Sequence, residues 1–252
     1  MKTVKILTIG NSFSRDATRY LHQFAAASGI STLIWNLNIG GCPLERHWEN
    51  VEKDDSAYGL EINSISADRR ISISKALAAE DWDYISLQQA SGFSGWKDSY
   101  EPFAGLLVAY IREKAPQAKL LMHETWAYDT TSTHGHFLRY NRDQQEMFEK
   151  ILSCYTETAA KYDMTIIPCG EIIQKVRKLP AFDMENGGIS LTRDGFHMSL
   201  DYGRYLLACI WTKKLFGVSL KENTFVPDKS ILQSEPDPEL LALLRNTVDA
   251  LL

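Results

Sequence analysis

Cysteine is scarce and unpatterned. The chain has four in 252 residues, at positions 42, 154, 169 and 209, and no two form a Cys-x-x-Cys pair. That excludes a zinc framework and a dense disulfide scaffold. Cys154, Cys169 and Cys209 lie among apolar neighbours and are expected as buried thiols in a reducing compartment. Runs of basic charge are also missing. The 27 Lys and Arg are outnumbered by 32 Asp and Glu, for a net charge of −5, and the densest basic cluster is Lys175, Arg177 and Lys178. A protein that grips a phosphate backbone carries a basic patch, so no nucleic-acid partner is expected. No stretch approaches the roughly 18 apolar residues of a spanning helix, so no membrane partner is expected either. The opening Met-Lys-Thr-Val-Lys-Ile-Leu-Thr-Ile is too short and too charged for a signal peptide, which sets a cytoplasmic location as the expectation. There is no internal repeat, low-complexity tract or Pro/Ser-rich linker. Residues 1–252 are therefore expected to form a single domain.

What the chain does have is apolar content in short, regular blocks. Hydrophobic residues make up 44% and charged residues 23%. A chain of this length buries about 70–75% of its unfolded surface. Residues 4–9 are β-branched and apolar, closed by Gly10, and read as a strand. Residues 16–28 place Ala17, Tyr20, Leu21, Phe24 and Ala25 at helical spacing, with Gly29 as the stop. Residues 32–39 alternate through Leu33, Trp35, Leu37 and Ile39 and predict a second strand, ended by Gly40 and Gly41. Residues 44–67 are polar and weakly patterned, an excursion with one helical turn. Further strands are predicted at 84–87, 119–122 and 165–168. Helices are predicted at 73–79, from Pro102 to about 114, and at 136–162, 171–179, 200–216 and 237–252. Five short strands interleaved with helices give an α/β fold: a three-layer, doubly wound parallel sheet, flavodoxin-like, in the order 2-1-3-4-5. Ligands in such sheets bind outside the carboxyl ends of the strands.

Each strand end carries a chemically useful residue. Ser12 and Ser14 follow the first strand in Gly-Asn-Ser-Phe-Ser. A serine there is exposed, fixed, and near a helix N-terminus that favours negative charge. One of the two is expected as the helix cap; Ser14 is the better cap, which leaves Ser12 free. Gly40 and Gly41 follow the second strand, either as a plain turn or as backbone N–H groups open to a ligand. Gln88 and Gln89 follow the third, where an amide can donate to a developing oxyanion. Alternation along a strand lets at most one face the site. Trp126 and Tyr128, after the fourth strand, and Trp96 are either substrate-stacking rings or rim packing. His134-Gly135-His136 lacks the companions of a metal site and reads as a loop leading into a helix. Glu171 reads as a first-turn acid. Near the C-terminus stands Asp194-Gly195-Phe196-His197-Met198-Ser199. An Asp and a His three apart in a loop can pair, fixing the imidazole tautomer and turning its far nitrogen toward a serine.

The set, Gly-Asn-Ser-Phe-Ser at 10–14 and Asp-Gly-Phe-His-Met-Ser at 194–199 with glycine and amide blocks between, resembles the SGNH, or GDSL-like, hydrolase superfamily. The likeness runs in order along nearly the whole chain. Its wording is most similar to an uncharacterised branch from Bacteroidetes. The resemblance implies Ser12 as nucleophile, His197 as general base and Asp194 as its partner. It implies an oxyanion hole from the N–H of Ser12 and of Gly40 (less favoured, Gly41) and the amide of Gln88 (less favoured, Gln89). The family more often has Asp where Asn11 stands, and Asn where the glutamines stand. The implied activity is hydrolysis of short-chain, chiefly acetyl, esters on a small molecule or oligosaccharide through an acyl-enzyme, with no metal and no cofactor. The competing expectations are a carbohydrate-binding module without turnover and a sugar O-acyltransferase. The sequence sets no oligomeric state.

Overall fold

The structure, a computed structural model, describes residues 2–232 and 235–252. The five expected strands are all present: β1 (Val4–Gly10), β2 (Thr32–Asn38), β5 (Tyr84–Leu87), β6 (Lys119–His123) and β7 (Thr165–Ile167). They lie parallel in the order β2-β1-β5-β6-β7. Their apolar runs explain why: Ile6, Leu7, Ile9, Ile34, Leu37, Ile85 and Leu121 are all buried, which requires cover on both faces. Register pairs Gly10 with Asn38, Ile9 with Leu87 and Leu87 with Met122, so the carboxyl ends finish at one edge.

Two further strands extend the sheet to seven. β3 (Tyr58–Ile62) and β4 (Ile65–Ile71) form an antiparallel hairpin beside β2, preceded by α3 (Leu44–Glu52). The polar excursion is therefore a helix and a hairpin, not a loop with one turn. The hairpin pivots on Asn63 and Ser64, both with positive φ, as a tight turn between right-twisted strands requires. Edge strand β4 is mostly exposed and carries Asp68, Arg69 and Arg70. Such charges discourage edge-to-edge pairing.

Helices cover both faces. α1 (Ser12–Thr18) and α2 (Leu21–Ala27) pack with α8 (Tyr202–Phe216), while α3 packs with α4 (Ile73–Leu77) and α5 (Phe103–Lys114). The first predicted helix thus begins earlier and is broken in two at Arg19–Tyr20. The long predicted helix at 136–162 is also divided. A short 3₁₀ turn spans Gly135–Tyr140, then Asn141 and Arg142 take left-handed φ. The Asp143 carboxylate then caps α6 (Gln144–Lys161). α7 (Cys169–Val176) follows β7, with Glu171 in its first turn. α9 (Pro238–Leu251) packs on α8 and α7 through Leu241, Leu244 and Val248. All four cysteines are buried and free. Among the described residues no helix is long and apolar enough to cross a membrane.

Candidate active site

The carboxyl edge brings together three of the residues singled out in the sequence. Ser12 opens α1 directly after β1. Its Oγ is 2.9 Å from His197 Nε2, and His197 Nδ1 is 2.7 Å from Asp194 Oδ2. Asp194 Oδ1 also accepts the backbone N–H groups of His197 (2.7 Å) and Phe196 (3.2 Å). Burial pushes the Asp194 carboxyl up, but the imidazole and those two N–H groups outweigh it and hold it below its ordinary value. Gly195 makes the short loop possible. Its φ is +87°, and a Cβ there would meet Ser132 Cα at 2.8 Å. The Gly195 carbonyl is held by the Asp129 N–H at 2.8 Å.

Asn11, not Ser14, caps α1: its Oδ1 accepts the Phe13 N–H at 3.0 Å. The Ser14 hydroxyl is turned into the sheet, with Asn36 Oδ1 at 2.7 Å and the Asn11 carbonyl at 2.8 Å as the two acceptors in reach of its one proton. Asn11 thus fixes the helix start from which Ser12 projects, with its own Nδ2 on the Cys42 carbonyl at 3.2 Å.

Ser12, Gly40, Gly41 and His197 line one cavity of about 320 Å³, with Asn11, Phe13, Ser91, His134 and Phe196 completing its walls. The Ser12 N–H lies at the first position of α1, where no intrahelical acceptor exists. Among the described residues the N–H groups of Gly40 and Gly41 also find no acceptor. Three backbone donors therefore border the cavity.

The glutamines are not on that wall. Gln88 is buried beneath Asn11 and donates Nε2 to Asn11 Oδ1 at 2.8 Å. Gln89 Oε1 accepts the N–H of Leu44 (3.0 Å), and its Nε2 donates to the Ser99 carbonyl (2.9 Å). Both amides hold loops rather than face the cavity. Ser91, two residues further on, supplies the hydroxyl there, paired with Tyr128 Oη at 2.8 Å. The aromatic expectation is corrected likewise. Trp126 and Tyr128 are fully buried and offer no face to a substrate. Trp126 stacks on Phe13 at 4.1 Å and donates Nε1 to the Phe196 carbonyl at 2.7 Å, so it clamps α1 to the histidine loop. Trp96 is exposed, on a neighbouring groove.

Asp16 was not singled out in the sequence. One helical turn beyond Ser12, it is buried and accepts the Met198 N–H at 2.9 Å. It also pairs with Arg193 Nη1 at 3.2 Å and Arg204 Nη2 at 2.7 Å. One carboxylate thereby ties the helix of Ser12 to both sides of the Asp194–His197 loop and to α8. The only sequence sign is its spacing four residues after Ser12. His134, read in the sequence as part of a loop leading into a helix, lines the cavity. Burial, and then the neighbouring His197, push its pKa down against a smaller opposite pull from Asp194. Among the described residues no group of three His, Cys, Asp or Glu is placed to hold a metal ion.

Residues 5–235 match the family model "Domain of unknown function (DUF4886)". The chain belongs to this DUF4886 family. A crystal structure of a DUF4886 protein from Bacteroides uniformis superposes with a TM-score of 0.89 at 38% identity, over 99% of this chain and 94% of that one. A protein of Slackia heliotrinireducens assigned to the SGNH hydrolases superposes with a TM-score of 0.58 at 18% identity, over 85% and 100%. Axe2, an acetylxylan esterase from Geobacillus stearothermophilus, superposes with a TM-score of 0.52 at 13% identity, over 89% and 97%. The DUF4886 chain thus has the SGNH hydrolase fold. Curated proteins give no match to the sequence.

Proposed function

We propose that this DUF4886 protein is a serine esterase of short-chain, chiefly acetyl, esters. The observation that carries the reading is the continuous hydrogen-bond line from Asp194 through His197 to Ser12, ending in a cavity edged by backbone donors. His197 Nε2 takes the Ser12 proton as Oγ attacks an ester carbonyl. Asp194 orients the ring and stabilises its cation. The carbonyl oxygen becomes an oxyanion among the N–H groups of Ser12, Gly40 and Gly41. His197 returns the proton to the leaving alcohol, and water then releases the acyl group by the same steps. The small cavity favours an acetyl over a long acyl chain, and the acetylxylan esterases that share the fold support a carbohydrate leaving group. A direct 2.9 Å Ser12–His197 contact favours turnover over a bare binding module. Hydrolysis of p-nitrophenyl acetate and butyrate tests the reading. We expect the acetate to be preferred, and Ser12→Ala to lose at least about 10³-fold in kcat with its melting temperature kept. Equal rates in both folded proteins would overturn it.

A further inference from the structure

A row of rings leads away from the reacting pair. Phe196 packs on His197 with centroids 4.1 Å apart, and His134 lies 4.8 Å beyond Phe196. His136 follows at 5.2 Å, then Phe93 at 5.2 Å. Trp96 is last, 5.9 Å from Phe93 with planes within 7°. None of these rings is fully buried, and Trp96 is 45% exposed. The row begins on the wall of the Ser12 cavity and ends in a groove of about 550 Å³ walled by Trp96, Arg139 and Tyr140. Two separate concavities are therefore joined by accessible aromatic surface, where a lone exposed ring would need no explanation.

The chemistry of the row selects its occupant. The row mixes polar and apolar rings, in order imidazole, phenyl, two imidazoles, phenyl and indole, and the Arg139 guanidinium lies over the Phe93 ring at 4.3 Å and over the Trp96 ring at 4.6 Å. An acyl chain laid here would cover the imidazole of His136 and the guanidinium of Arg139, polar groups to which it offers no hydrogen bond, which is costly. A pyranose chain is apolar on its C–H faces and polar at its hydroxyl edges, so it can meet both the rings and the hydrogen-bonding groups of such a mixed surface. We propose that the row from His197 to Trp96 is an extended glycan-binding track, and that the natural ester is carried on a neutral oligosaccharide of several units. Its placement along a substrate rests on the esterase reading of Ser12, but binding along it does not need turnover.

The test separates the two. Binding of neutral β-1,4-linked xylo-, manno- and gluco-hexasaccharides, and of the matching monosaccharides, is measured by calorimetry to the folded Ser12→Ala protein. The expected result is at least one hexasaccharide bound about tenfold or more tightly than its monosaccharide. Trp96→Ala added to this protein should erase that difference, and Trp96→Phe should restore most of it. Trp96 is exposed, so neither change threatens the fold. In the enzyme with Ser12 intact, Trp96→Ala should lower the ratio of activity on an acetylated hexasaccharide to that on the acetylated monosaccharide by a similar factor. No length dependence with any backbone, or length dependence untouched by Trp96→Ala, overturns the track. Length-dependent binding without p-nitrophenyl acetate hydrolysis would overturn the esterase reading and leave the track standing.

Discussion

The line from Asp194 through His197 to Ser12 joins a loop ahead of α8 to the residue that follows the end of β1, and its three members sit in two short sequence blocks whose order and chemistry agree. Side-chain direction was not legible. Gln88 and Gln89 stand at the expected strand end, yet their amides serve Asn11 and the Leu44 and Ser99 backbones, and nothing in a Gln-Gln pair tells a cavity wall from a buried brace. Trp126 and Tyr128 failed as substrate platforms for the same reason: a ring in a loop after a strand can turn inward. At this scale one titration is open to measurement. Glu124, at the end of β6, is pushed up to about 8 by burial, against the N–H groups of Glu171 and Gly170 that favour its charge. The unfolded chain releases that proton near 4.3. Between those values the folded state holds more protons than the unfolded, so stability falls as pH rises from about 4.3 to about 8 and levels off above. Glu124→Gln stays neutral and keeps the Oε1 that accepts the Glu171 N–H at 2.6 Å. Urea midpoints taken from pH 5 to 9 should therefore show the wild type losing stability relative to the variant up to about pH 8. Parallel midpoint curves would refute the assignment.

The elements show a different mixture. The strands were legible because buried parallel strands are near-continuous apolar runs. The β3–β4 hairpin was not, since its turn is Asn63-Ser64 without a glycine and β4 faces solvent with charged side chains. The break after α1 and the left-handed Asn141–Arg142 step were hidden too, because helical periodicity runs on across a single turn. What α1 must do is present Ser12 at a fixed distance from a loop 185 residues away in sequence. Asp16 holds that distance through Met198, Arg193 and Arg204. Asp16→Asn leaves two partly buried cations short of charge. It should cost on the order of 3 kcal/mol of stability and lower kcat for p-nitrophenyl acetate about tenfold or more with a smaller change in KM, as the serine–histidine alignment loosens. Kinetics at a temperature well below the melting point separates the two effects. Loss of stability with unchanged kcat would make Asp16 a fold residue only.

Across the whole molecule, the chain order of the sheet puts the crevice where β1 parts company between β2 and β5, the place at which doubly wound sheets bind ligands. The sequence supported that much, because five strands alternating with helices admit few topologies. α9 lays Leu241, Leu244 and Val248 on α7 and α8, and none of the three lines the Ser12 cavity. Leu244→Ala, at a fully buried position, should cost about 2–5 kcal/mol and leave kcat at 25 °C unchanged, as read from a urea melt and a rate on the same sample. A fall in kcat would couple α9 to the site.

The most direct test of a nucleophilic Ser12 is its chemistry toward an activated phosphonyl fluoride, followed by intact mass and peptide mapping. The expected result is one adduct per chain, on Ser12, lost in Ser12→Ala and strongly slowed in His197→Ala. No adduct on a folded protein, or an adduct on another residue, would contradict the assignment of this cavity as an acyl-transfer site.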